Sequence, residues 1–113
     1  MLVNGQPGEL LSLLDRGLHY GDGLFETIAV IHSSIPLWER HYARLATGCD
    51  MLGIPVPDEK LLKQEILQLG DQTGRLVVKV IITRGEGGRG YFPANPCAPT
   101  RILLERPWPD GER

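Results

Sequence analysis

The period of the apolar positions changes several times along the chain, and each change marks an element. The opening LVNG is apolar up to Asn4-Gly5, a dipeptide suited to a tight hairpin turn. It predicts a first hairpin with LLSLL, residues 10 to 14, as the return strand. Asp15 to Gly17 then interrupts the pattern. From Leu24 to His32 the residues Phe25, Thr27, Ala29 and Ile31 alternate with Leu24, Glu26, Ile28 and Val30, which predicts a strand ending at Ser33-Ser34. In WERHYARLATGCDML the period lengthens: Trp38, Tyr42, Leu45, Cys49 and Leu52 recur at alternating steps of four and three and form one helical stripe. Gly53 and Pro55 stop that helix. Asp58 opens a second, with Leu61, Leu62, Ile66 and Leu69 on one face and Gly70 as its end. RLVVKVIIT, residues 75 to 83, is dense in β-branched residues and apolar on both faces apart from Lys79, as a central strand should be. After a glycine-rich loop and the proline-rich PANPCAP, RILLE is the last strand.

Strands, two consecutive helices, then strands again predict an α+β fold with a largely antiparallel sheet. The 113 residues allow one domain, expected over 1–106, with 107–113 (PWPDGER) as the start of a linker or a ragged end. Hydrophobic residues make up 42% and charged residues 23%, the balance of a globular domain. A net charge of −2, with no basic run, argues against nucleic acid and acidic membrane as partners. Cys49 and Cys97 lack paired spacing and no signal peptide opens the chain, so free thiols in the cytoplasm are expected, with a single disulfide as the alternative. His19 and His32 have no partners at ligand spacing, so no metal site is expected.

Four stretches carry candidate chemistry. RGEGGRGY contains a literal GxGxxG at Gly85, Gly87 and Gly90. A dinucleotide site needs that motif to open a helix whose N-terminus holds pyrophosphate, and here it runs into three prolines within seven residues. The loop is either a plain connection or a carriage for Arg84, Arg89 and Tyr91, on which an arginine guanidinium suits a carboxylate. In HYGDGLFE, Gly21 and Gly23 flank Asp22. The simpler reading is a tight turn with Asp22 bonding its own backbone; the sharper one is close approach to a ligand, with Phe25 and Glu26 projecting from the strand start. His41 and Arg44 are neighbours on the first long helix, where Arg44 is either solvated or holds an anion such as phosphate. Lys79, inside an apolar strand, is either a nucleophilic amine or a side chain on a wet part of the sheet.

DRGLHYGDGLFET, RHYARL and VIITRGEGGRGY, in this order, resemble the N-terminal half of the class IV aminotransferases, the fold type IV pyridoxal-phosphate (PLP) enzymes. The GGRGY loop is most similar to that of the aminodeoxychorismate lyase branch. The resemblance implies that Arg44 binds the cofactor phosphate and that Phe25 faces the substrate. It also implies that Arg89 and Tyr91 meet a substrate carboxylate across a homodimer interface, so that the loop folds over a carboxylate and no nucleotide is cradled. It further implies that the cofactor-linking lysine and the glutamate at the pyridine nitrogen lie in a second domain absent from this chain, since Lys79 does not match that lysine. The chain alone is then expected to be an inactive fragment. An aminotransferase for branched-chain or D-amino acids, and a non-catalytic dimerisation or binding module, are the alternatives.

Overall fold

The computed structural model describes residues 1–70, 74–88 and 97–109. The elements run β1 (Leu2–Val3), β2 (Gln6–Pro7), α1 (Arg16–Tyr20), β3 (Gly23–Ile31), α2 (Trp38–Leu52), α3 (Glu59–Gly70), β4 (Arg75–Thr83) and β5 (Thr100–Pro107). They form one antiparallel sheet in the order β2-β1-β5-β4-β3, so the α+β expectation holds and β4 is interior.

Strand alternation assigns the two faces. Ile28 and Val30 of β3, Val78, Val80 and Ile82 of β4, and Leu103 of β5 are buried against Trp38, Leu45 and Cys49 of α2 and Leu62 and Ile66 of α3. The opposite face carries the rows Phe25–Ile81–Ile102–Val3 and Thr27–Lys79–Leu104, which no long helix among the described residues covers. α2 spans the stripe read from the sequence, although Leu52 at its end is exposed. In α3, Asp58 Oδ2 accepts from the Leu61 N–H at 3.0 Å and caps the first turn. Leu61 itself is exposed, and the buried face takes in Glu65 instead.

Two expectations are corrected. The Asn4-Gly5 hairpin forms, with φ of 52° and 82°, but its return strand is Gln6–Pro7 and not LLSLL. A two-residue turn brings the chain back at once, so by residue 10 it has left the sheet; Leu10, Leu13 and Leu14 are exposed outside any strand. The described residues hold three helices, because the stretch after Asp15 that breaks the apolar pattern is the short helix α1. Asp15 caps it, accepting from the Gly17 N–H at 2.8 Å and from the Thr100 hydroxyl at 2.7 Å, and Gly21 ends it at φ 64°.

Candidate functional site

Two polar clusters and a concavity lie around the start of β3. Glu26 alternates with Phe25, so its carboxylate points to the helix side, where α2 presents residues of its outer face. Arg44 donates to it twice, Nε to Oε2 at 2.9 Å and Nη2 to Oε1 at 2.8 Å, and His41 Nδ1 lies 2.9 Å from Oε1. Arg44 holds the Glu26 carboxyl below the usual carboxylate range, against the upward push of burial and with further help from His41. The Arg44 side chain is nevertheless 65% exposed while that of Glu26 is 12%. One edge of the guanidinium is fixed and the rest faces outward, an arrangement that suits a phosphate oxygen.

Asp22 does not bond its own backbone as a simple turn would. Its Oδ2 accepts from Arg84 Nε at 2.8 Å and from Arg16 Nε at 3.0 Å. Arg84 is the larger cause of a lowered Asp22 carboxyl, with burial opposing and Arg16 adding to the effect. Arg84 also donates to the carbonyls of Leu52 at 2.6 Å and Gly53 at 3.4 Å, placing its charge at the negative C-terminal end of α2. It is thus a strut between β4, the GDG turn and α2, and the carboxylate its guanidinium grips in the described structure is that of Asp22. Gly23 has a packing reason: a Cβ there would collide with the Ile82 carbonyl of β4.

On the open face, a concavity of about 450 Å³ is lined by Leu11, Leu18, Phe25, Ile81 and Ile102, with Lys79 the single charged residue among its described walls. Phe25 is 59% exposed, and the Lys79 ammonium sits 4.4 Å from the centre of its ring. Phe25 and Arg44 therefore flank β3, an edge strand, from its two sides, and Arg44 is not among the described walls of that concavity. Arg89 and Tyr91 lie outside the described residues. Cys49 and Cys97 are free, and burial pushes the Cys49 thiol up. Among the described residues no group of three or more His, Cys, Asp or Glu could hold a metal ion, and no helix is long and apolar enough to cross a membrane.

Sequence reasoning missed Glu26 as the anchor of Arg44. The β3 alternation carried the signal, since it groups Glu26 with the buried Ile28 and Val30. It also missed Glu65, buried on α3 and joined to Arg101 of β5 by two bonds of 2.7 Å; nothing in the spacing of residues 36 apart announces that pair.

Comparison with known proteins places this geometry. The chain is similar to an aminodeoxychorismate lyase from Vibrio harveyi, 34% identical over 107 residues, covering 95% of this chain and 40% of the relative. It is similar to the crystal structure of 4-amino-4-deoxychorismate lyase from Pseudomonas aeruginosa at 50% identity and a TM-score of 0.88, covering 98% of this chain and 41% of that one. A hypothetical aminotransferase from Mycobacterium tuberculosis, solved in its PLP-bound form, is 29% identical with a TM-score of 0.73, covering 92% of this chain and 36% of that one. The chain thus spans about two fifths of the length of its lyase relatives. The profile of the amino-transferase class IV family matches residues 23–113, most of the sequence, and the chain belongs to that family.

Proposed function

We propose that the chain is the N-terminal domain, residues 1–106, of a PLP-dependent aminodeoxychorismate lyase. The reaction is loss of pyruvate from 4-amino-4-deoxychorismate to leave 4-aminobenzoate, a step of folate biosynthesis. The observation that carries the reading is the likeness to the Pseudomonas lyase in sequence and fold across nearly the whole chain. When bound, pyridoxal phosphate supplies an electron sink for the bond-breaking step.

The residues of this chain would bind and orient. Arg44, locked by Glu26 and exposed at its outer edge, holds the cofactor phosphate. Phe25 presents its ring to the substrate within the open-face concavity, where Leu18 and Ile81 limit water. Arg89 and Tyr91 on the glycine-rich loop meet a substrate carboxylate, in the partner's site of a cytoplasmic homodimer. The cofactor-linking lysine belongs to a second domain, reached through a linker that starts at residues 107–113. The fragment alone is therefore inactive.

The test is steady release of pyruvate from aminodeoxychorismate by the complete protein with no keto acid added. Amino transfer that requires a keto-acid acceptor would instead favour the second reading, an aminotransferase of the same fold, to which the likeness to the Mycobacterium protein gives support. Replacing Arg89 by Ala should raise KM strongly while the protein stays folded; unchanged kinetics would remove Arg89 from the site.

A further inference from the structure

The open-face concavity holds a cation, Lys79, for which no ion pair is formed among the described residues. The paired acids around the sheet are committed elsewhere: Glu26 to Arg44 and His41, Asp22 to Arg16 and Arg84, and Asp15 to Thr100 and its own helix. Glu65 is taken by Arg101 and Glu105 by the terminal amine. Lys79 is left with the Phe25 ring, 4.4 Å from its ammonium, within walls that are otherwise apolar or uncharged. β4 is an interior strand, so its Lys79 side chain rises from the middle of the sheet and not from a rim. A half-buried ammonium beside apolar walls gains more from an anion than one in bulk water, because the local dielectric is lower. The same ring that steadies the cation offers a flat face to stack a ligand ring.

We infer that Lys79 is a specificity residue of this concavity, holding a carboxylate carried on a flat six-membered ring that packs against Phe25. The assignment rests on the lyase reading for its substrate and is separate from the carboxylate contact proposed for Arg89 and Tyr91. It gives Lys79 a role as a charge, not as the amine that reacts.

The experiment uses the complete protein with two probes of one shape, 4-aminobenzoate and the uncharged aniline, whose binding is followed by saturation-transfer NMR. Wild type should bind 4-aminobenzoate at least tenfold more tightly than aniline. Lys79→Met should erase that preference while aniline binding stays within about threefold, and Lys79→Arg should keep it. In the lyase assay the Met variant should raise KM tenfold or more with kcat little changed. Circular dichroism separates these losses from unfolding, and Lys79→Gln gives a second neutral variant. A wild type with no preference for the carboxylate, or a Met variant that retains it, overturns the inference. If no pyruvate is formed but the carboxylate preference is present and lost in Lys79→Met, the lyase reading fails and the Lys79 assignment stands.

Discussion

Arg44 and Glu26 form a unit at the scale of single residues. The arginine came from the motif RHYARL, but what orients it is a carboxylate 18 positions away that meets both its Nε and Nη2. Arg44→Ala should weaken PLP binding at least tenfold, read from the visible absorbance of the bound cofactor on titration. Glu26→Gln keeps the arginine and removes the charge that fixes it, so it should weaken PLP binding less than Arg44→Ala does. In a double-mutant cycle the two changes should then be far from additive. Additive losses would mean that Glu26 does not act through Arg44. The sequence made Arg44 legible through resemblance, and β3 alternation could have supplied Glu26. The Lys79–Phe25 contact was out of reach, because it depends on the pairing of β3 with β4, a long-range register that spacing within one strand does not encode.

At the scale of elements, Asp22 joins α1, the start of β3, β4 and the end of α2 through two arginines. Its side chain is 15% exposed and those of Arg16 and Arg84 are 6% and 13%. Asp22→Asn leaves two nearly buried cations facing a neutral amide and should cost about 3 kcal/mol in chemical denaturation. The pH dependence has a definite sign. The folded-state carboxyls of Asp22 and Glu26 lie below their ordinary values, so the stability they contribute is present above the unfolded range near pH ~4. It is lost as pH falls through the lower folded values. The Tm of wild type should therefore drop on acidification below about pH 4, and the Asp22→Asn variant, already lacking its share, should drop less steeply. An equal slope in both would show that Asp22 is not a source of the acid sensitivity. Periodicity announced β3, α2 and α3, and dense apolar and β-branched composition announced β4 and β5, because each runs eight or more residues. It missed α1, five residues long, since one turn of helix shows no repeat and only Asp15 and Gly21 mark its ends.

For the whole molecule, the sheet has one face closed by α2 and α3 and one face that no long helix among the described residues covers. The apolar character of β4 on both sides was visible in RLVVKVIIT, but sequence could not say which side the helices would take. Pairing decides it, by placing Val78, Val80 and Ile82 with Leu103 under the helices and Ile81 with Ile102 and Phe25 on the other side. Ile66→Ala, which opens a hole in the closed face at a fully buried residue, should cost about 3 kcal/mol in chemical denaturation. Ile81→Ala on the open face should cost markedly less, and equal losses would contradict this assignment of faces.

The central claim is that this chain supplies the phosphate-holding and substrate-lining side of a PLP site whose cofactor-linking lysine lies elsewhere in the protein. The most direct test is borohydride reduction of the complete PLP-loaded protein followed by peptide mass spectrometry. A stoichiometric adduct is expected on a lysine outside these 113 residues, with Lys60, Lys63 and Lys79 unmodified. A stoichiometric adduct on Lys79 would contradict it, and would turn the cation of the open-face concavity from a carboxylate holder into the reactive amine.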